Sequence, residues 1–159
     1  MCVTHTIYDM EVYRITLKKW SKSLKGSGYP GRWNSKGVFV IYSTGSRALA
    51  SLENLVHRSG EGLNNLFAVM RICVPDQLSI LELEQSELPQ YWFDYENYQP
   101  CQKIGDKWIE DGEYPILKVP SAIIRKEYNY LINPNHPQFH LIEIIEVEEF
   151  EFDLRLIRP

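Results

Sequence analysis

The sequence predicts a single strand-rich α+β domain with few helices. Short segments of β-branched and aromatic residues recur between turns rich in Gly, Pro and Asn, a pattern that is typical of strands. Apolar residues at helical spacing occur in only two segments. The 159 residues, of which 44% are hydrophobic and 24% charged, suit one globular domain with a core of its own. No linker, repeat or low-complexity stretch divides the chain.

Strands are predicted along the whole chain. The predicted strands are residues 10–16, 38–43, 65–75, 78–83 and 117–124, with one or two more within 140–156. Pro120 predicts that its strand bends there or lies at an edge of the sheet. Partial alternation of apolar and acidic residues over 143–153 predicts an edge strand. The stretch 129–139 has two X-Pro pairs and is predicted to be a connector, and a second helix is predicted around 101–111.

The first predicted helix, SRALASLENLVH at 46–57, has a carboxylate at an unusual place. Leu49, Leu52 and Val56 fall at the spacing that lines one buried stripe. Glu53 lies at the edge of that stripe, and an ionised carboxylate is costly to desolvate unless something pairs with it or uses it. The pattern therefore favours a functional role for Glu53.

Charge and composition narrow the classes of function. Residues 1–60 have nine Lys or Arg against three Asp or Glu, so this third could attract a pyrophosphate or a nucleic acid backbone. Lys18, Lys19, Lys22 and Lys25 are nevertheless interpreted as solvated side chains. The cysteines and histidines lack the spacing of metal ligands, so no metal site is predicted. An odd number of cysteines and no secretory or membrane-spanning segment predict a cytoplasmic protein with reduced thiols.

Polar residues at the ends of predicted strands form the candidate site. Arginine grips phosphate with two nitrogens, tyrosine offers a flat ring, and a buried glutamate stabilises a positive centre. From the pattern alone, structural and functional roles stay open for Arg32 and Tyr42, whereas Trp33 is predicted to be core. Ser121, placed within a predicted strand, would by itself be interpreted as a hydroxyl that bonds to local backbone. The candidates are Arg32, Asn34, Tyr42, Ser43, Glu53 and Ser121.

Three blocks of the sequence together resemble the RES domain family. They are GRWNSKGVFVIYSTGSRALASLENLVH, LKVPSAIIRKEYNYLINPNHPQF and FEFDLRL, in this order. The family's Arg, Glu and Ser correspond to Arg32, Glu53 and Ser121. The resemblance covers nearly the whole chain, so residues 1–159 are interpreted as one RES domain. The loop KGSGYPGRWN departs from the pattern, since relatives usually have a small residue in place of Tyr29-Pro30.

The resemblance implies a fold, an activity and partners. RES proteins are bacterial toxins, silenced by a cognate antitoxin with an Xre-type helix-turn-helix domain. Their fold is similar to that of ADP-ribosyltransferases, with a split, twisted β core and a cleft that binds NAD. They break the bond between nicotinamide and ribose and so deplete NAD, which makes NAD a substrate and implies no cofactor. No direct contact with nucleic acid or membrane is expected, and a homodimer within the toxin–antitoxin complex is allowed.

The resemblance also implies residue roles. Arg32 is expected to grip the pyrophosphate and Tyr42 to stack on the nicotinamide ring. Glu53 is expected to accept a hydrogen bond from a ribose hydroxyl and to stabilise an oxocarbenium-like transition state. Ser121 would orient Glu53 or the ribose. Asn34 and Ser43 are weaker candidates, expected at the pocket wall.

Other interpretations remain open from the sequence. NYLINPNHP at 129–137 is interpreted as scaffolding that shapes the cleft, although Asn129 or Asn133 could touch ligand. The main functional alternative is transfer of ADP-ribose to one cellular protein, which would leave label on protein. A ribonuclease would also suit a basic first third, and a binding module could sense NAD without cleaving it. RNA integrity and nicotinamide release distinguish these two from NAD degradation.

Overall fold

A computed structural model describes residues 9–57 and 66–156. Within them the chain forms one seven-stranded mixed sheet and two α-helices. The sheet order is β4-β5-β6-β2-β1-β3-β7, and all neighbours are antiparallel except β4 and β5. The elements are β1 Met10–Leu17, β2 Ile41–Thr44, α1 Arg47–His57, β3 Phe67–Val74, β4 Ile80–Glu82, α2 Gln99–Asp111, β5 Ile116–Pro120, β6 Tyr128–Ile132 and β7 Glu143–Phe150. The predicted strand-rich α+β class is therefore confirmed.

The sheet opens in its middle. β1 and β2 are joined by a single registered pair, Tyr13 with Thr44, whereas β1 and β3 pair along eight consecutive residues. Because the two central strands diverge from that one pair, a gap forms between the two halves of the sheet. This gap positions the candidate site, since both Tyr13 and Thr44 line the cleft described below.

Apolar residues cover both faces of the central strands. Neighbouring residues alternate between two clusters, so that Ile116 and Ile132 belong to one cluster and Leu117 and Leu131 to the other. Trp33, with 1% of its surface exposed, is in the second cluster, which confirms its prediction as core. Burial on both faces stabilises the sheet and holds the segment before β2 against it.

Helix α2 docks on the backbone of the GRWN segment. A Cβ placed on Gly105 would lie 1.8 Å from the carbonyl oxygen of Trp33, so only glycine allows this approach. Gln102 in the same helix donates to the carbonyl oxygens of Gly31 (2.9 Å) and Asn34 (3.1 Å). The second predicted helix thus exists, and it fixes the segment that includes Arg32.

Three predictions about β5 and β6 need correction. β5 ends at Pro120, so Ser121 lies in the turn after the strand. Of the bend and the edge predicted at Pro120, the edge is wrong, because β5 has β4 and β6 on its two sides. Proline is tolerated there because the chain turns at once, with the Ser121 N–H donating to Glu127 O at 2.8 Å. The predicted connector 129–139 contains most of β6, a central strand, because pairing with β2 and β5 outweighs the turn signals that follow it.

The predicted acidic edge strand is confirmed as β7. It pairs only with β3 in the described sheet, and its carboxylates meet cations from the first half of the chain. Arg47 Nη2 lies 2.7 Å from Glu148 Oε1, and Lys18 pairs with Glu149. Lys18 is exposed, as predicted, but it is not free of partners. Part of the basic charge of the first third is therefore neutralised at this edge.

Smaller points concern the end of α1, the limits of two strands and the cysteines. Leu49 is buried as predicted, but Val56 is 61% exposed, because the last turn of α1 lines the cleft instead of packing on the core. β2 begins at Ile41, three residues later than predicted, whereas Asn65 of the predicted 65–75 strand lies outside the described residues. Cys101 is a free, buried thiol, as predicted, and Cys73 is buried too. Cys2 lies outside the described residues.

No helix in 9–57 or 66–156 is long and apolar enough to cross a membrane. The same residues contain no group of three or more His, Cys, Asp or Glu that could hold a metal ion.

Candidate active site

A cleft of about 400 Å³ lies where the sheet opens. Its walls come from the loop before β2, from β1 and β2, from α1, and from the segments that follow Phe93 and β5. This volume lies within the range of small-molecule pockets. Four of the six predicted site residues line it: Arg32, Tyr42, Ser43 and Glu53. The other two, Asn34 and Ser121, are buried behind the wall.

Glu53 is held at the cleft wall by side chains from three places in the fold. Its Oε1 accepts hydrogen bonds from Ser121 Oγ at 2.9 Å and from Asn129 Nδ2 at 2.8 Å. Its Oε2 lies 3.3 Å from Nε2 of His57, one turn further along α1. The exposed fraction of the Glu53 side chain is 18% and that of His57 is 51%. The edge of the helical stripe thus faces a polar network and the cleft.

The network keeps Glu53 ionised. Desolvation by burial is the largest single influence on its pKa and raises it, but hydrogen bonds from His57, Asn129 and Ser121 act against it and together lower the pKa below its ordinary value. A carboxylate that is partly buried yet charged can stabilise a positive centre in the cleft.

Ser121 acts on Glu53 and does not reach the cleft. Its side chain is fully buried, and its Oγ accepts from the backbone N–H groups of Ile123 (3.1 Å) and Ile124 (3.2 Å). With both acceptor positions of the hydroxyl filled, its proton points to Glu53 Oε1. Of the two predicted roles for Ser121, this geometry fits orientation of Glu53.

Asn34 and Tyr42 form one unit beneath the loop. The Tyr42 hydroxyl donates to Asn34 Oδ1 at 2.5 Å and accepts from the Trp33 N–H at 3.1 Å. The Asn34 amide donates to the carbonyl oxygens of Tyr29 (2.7 Å) and Val38 (2.9 Å), which fixes the loop. Burial is the main reason that the pKa of Tyr42 is raised, so its hydroxyl stays protonated. Asn34 therefore supports the wall of the cleft from behind, and the ring of Tyr42 lines it.

Arg32 combines a structural contact with a place in the cleft. Its Nη1 donates to the carbonyl oxygens of Trp92 (2.7 Å) and Asp94 (2.9 Å), and its guanidinium lies 4.5 Å from the ring centre of Tyr98. These contacts hold the 92–98 segment against the loop, and the side chain of Arg32 also lines the cleft. Its hydrogen bonds go to carbonyl oxygens, and it has no carboxylate partner among the described residues.

Three residues that line the cleft are not among the six candidates that the sequence predicts. Arg14 on β1 lines the cleft, donates to Lys25 O at 2.9 Å, and has no ion pair within the described chain. Burial lowers its pKa, as expected for a desolvated cation. A single arginine in a strand gave no sequence signal. His57 and Asn129 are the other two, and both contact Glu53. Asn133, by contrast, bonds to the Asn135 N–H at 2.9 Å and lies outside the cleft, so it is scaffolding.

Fold and cleft together define a class of protein. An ionised glutamate and two arginines line one pocket in a split sheet, which suits an anionic ligand that develops positive charge beside the carboxylate. The model of the RES domain family matches residues 11–155, and the chain belongs to that family. The resemblance predicted from the three sequence blocks is confirmed.

Curated relatives of the chain are toxins. The chain is 36% identical over 134 residues to the Prs ADP-ribosylating toxin of Sphingobium sp. (strain YBL2), covering 80% of this chain and 81% of that protein. It is 34% identical over 152 residues to a protein named Toxin Res from Yersinia enterocolitica, covering 92% and 99%. A Toxin Res of Photorhabdus laumondii is 35% identical over 155 residues, covering 94% and 98%. The chain is accordingly a toxin of the RES family.

A solved structure supports the fold. A chain in the crystal structure of the MbcT-MbcA toxin–antitoxin complex of M. tuberculosis matches with a TM-score of 0.74 over 91% of this chain and 85% of that one. At 17% identity this likeness concerns the fold alone. It confirms the predicted fold class.

Proposed function

We propose that this toxin degrades NAD by breaking the bond between nicotinamide and ribose. The observation on which the proposal rests is Glu53, an ionised carboxylate restrained by three side chains at the wall of a cleft that two arginines also line. In glycosidic cleavage a restrained carboxylate of this kind stabilises the charge that develops on the sugar.

The bond to be broken joins the ribose anomeric carbon to the nicotinamide nitrogen. The electron pair of that bond leaves with nicotinamide, which becomes neutral, and the ribose becomes oxocarbenium-like. Glu53 stabilises this developing positive charge and accepts a hydrogen bond from a ribose hydroxyl. An acceptor then adds to the anomeric carbon. In this scheme NAD is the substrate, and no cofactor or metal takes part.

The arginines and the tyrosine hold the substrate. Arg14 and Arg32 line the same cleft and have no carboxylate partner in the described residues, so they suit the two phosphates. The Tyr42 ring forms a flat wall for nicotinamide, with Ser43 beside it. Ser121 and Asn34 act from behind the wall through Glu53 and Tyr42.

A second candidate differs only in the acceptor. The Sphingobium relative, 36% identical, is named an ADP-ribosylating toxin. The same first step would then transfer ADP-ribose to a cellular protein instead of water or phosphate. Either activity uses the cleft described above, so the acceptor has to be measured.

The partner we propose is an antitoxin. A chain of similar fold occurs in a toxin–antitoxin complex. We propose an antitoxin with an Xre-type helix-turn-helix domain that covers the cleft in the cytoplasm. A homodimer of the toxin within that complex is part of the same proposal.

Nicotinamide release from NAD, with and without phosphate, tests the proposal. We expect release by purified wild-type protein free of antitoxin, and a loss of about two or more decades in turnover for Glu53→Gln. Glu110→Gln is the matched control, because this glutamate is exposed on α2 outside the cleft. Phosphate dependence identifies the acceptor, and label retained on protein would favour ADP-ribosylation. No release by folded protein would contradict the proposal.

A further inference from the structure

Asn129 occupies a central position beside the cleft. It lies on β6, opposite Thr44 of β2 and Val119 of β5, and is 8% exposed. Its Nδ2 donates to Glu53 Oε1 at 2.8 Å. Its Oδ1 is buried and has no hydrogen-bond partner among the residues that the structure describes. The Asn129 amide therefore donates a hydrogen bond to Glu53, whereas its own oxygen receives none from the described residues.

An unpaired buried acceptor is unfavourable for folding. The Oδ1 of Asn129 loses its bonds to water and gains none from the described part of the chain, whereas an apolar side chain of similar size would not have this penalty. Asn133, four residues further on, shows the opposite arrangement, since its Oδ1 accepts from the Asn135 N–H. The hydrogen bond accepted by Asn133 Oδ1 gives that asparagine a role in stability. The Oδ1 of Asn129 has no such role, so the reason for an asparagine at 129 lies in its donor.

The two oxygens of Glu53 have unequal surroundings. Oε1 accepts from two buried donors, Ser121 and Asn129, which belong to different parts of the fold. Oε2 has only His57 among the described residues, at a longer distance of 3.3 Å and on a half-exposed side chain. A ligand can displace His57 without breaking buried contacts, so Oε2 is the oxygen available to the cleft.

We propose that Asn129 is a positioning residue, which together with Ser121 clamps Oε1 of Glu53 so that Oε2 is directed at the ribose. This inference rests on the proposed function. A glutamate carboxylate rotates freely about its last side-chain bond, because that torsion has a broad distribution. Two donors on one oxygen, from the turn after β5 and from β6, restrict this rotation. Misplacement of a catalytic group by about 1 Å can cost on the order of 100-fold in rate.

The test replaces Asn129 with a side chain of similar size that cannot donate. We expect Asn129→Leu to change Tm little, because removal of the unpaired acceptor offsets the loss of the hydrogen bond to Glu53. Its kcat for nicotinamide release should fall roughly 10- to 100-fold with little change in KM. The acid limb of its kcat profile should move to higher pH, because a donor to ionised Glu53 is lost. Asn129→Ala replaces it if the leucine variant does not fold.

Asn133→Leu is the matched control. It lies in the same segment and outside the cleft, and its amide is used by the backbone. We expect this variant to have a lower Tm and the same acid limb of its kcat profile as wild type. The proposal is overturned if Asn129→Leu keeps wild-type kcat and acid limb.

A second readout separates this inference from the proposed function. Carbon NMR of labelled glutamate carboxyl groups follows the titration of Glu53 without substrate. A higher Glu53 pKa in Asn129→Leu supports the clamp, and an unchanged pKa overturns it. Absence of nicotinamide release by wild type would overturn the proposed function, and the NMR result would still decide whether Asn129 holds Glu53.

Discussion

Ser121 Oγ lies 2.9 Å from Glu53 Oε1, although the two residues are 68 positions apart in the chain. The contact forms because β5 ends at Pro120 and the following turn brings the hydroxyl under the last part of α1. The same turn supplies the two N–H groups that orient the hydroxyl. The end of β5 at Pro120 therefore places the hydroxyl that helps to keep Glu53 ionised.

This network predicts how Glu53 contributes to the pH dependence of stability. Its folded-state pKa is lowered, so its contribution is fully present above its ordinary value of 4.5 and is lost as the pH falls through the folded-state value. Glutamine at this position cannot titrate. We therefore expect the difference in unfolding free energy between wild type and Glu53→Gln to shift against wild type as the pH falls below 4.5.

Urea unfolding of both proteins at a series of pH values measures this difference. Glu110→Gln again serves as the control, since it is exposed on α2. A difference between wild type and Glu53→Gln that stays constant from neutral to acid pH would contradict the lowered pKa.

The two cleft arginines should respond differently to substitution. Arg14 is a desolvated cation with one backbone contact, so Arg14→Leu should weaken binding of ADP-ribose by at least about tenfold and leave Tm unchanged or higher. Arg32→Leu should weaken binding and also lower Tm, because Nη1 bridges the carbonyl oxygens of Trp92 and Asp94.

Calorimetric titration at two salt concentrations, together with melting curves, tests this pair. The effect of Arg14→Leu should diminish at high salt, because a charge contact is screened. Equal Tm losses in both variants, or full affinity in Arg14→Leu, would argue against the division of roles.

The parts of the fold that depend on local pattern could be predicted from the sequence. The helical spacing around Glu53 predicted α1, and the acidic alternation predicted the edge strand β7. The three sequence blocks identified the family, which the family model confirms. Four of the six candidate side chains also line one cleft, although their catalytic roles remain predictions.

The parts that depend on distant contacts could not be predicted. The sequence predicts scaffolding in a connector for Asn129, with ligand contact left open, because the prolines after it dominate the local pattern, whereas pairing with β2 and β5 makes it part of a strand. Val56 fits the apolar stripe, but the cleft replaces the core at that end of α1. Arg14 becomes notable only once the structure shows that it lines the cleft and makes no ion pair among the described residues.

The contact between Gly105 and Trp33 gives the last prediction. A Cβ at position 105 would overlap the Trp33 carbonyl oxygen at 1.8 Å, and neither backbone can yield without moving α2 or the GRWN segment. Gly105→Ala should therefore destabilise the fold by roughly 1–3 kcal/mol or more and displace Arg32 and Tyr42 from the cleft.

Gly45→Ala is the control, because its Cβ would meet the Tyr130 ring at 3.5 Å, an ordinary contact. Melting curves and ADP-ribose binding of the two variants show whether α2 only stabilises the domain or also shapes the cleft. If α2 only stabilises the domain, Gly105→Ala would lower Tm but bind normally at temperatures where it stays folded. If α2 also shapes the cleft, affinity falls even there, and we expect this second result because Gln102 of α2 bonds directly to the carbonyl oxygens on both sides of Arg32 and Trp33.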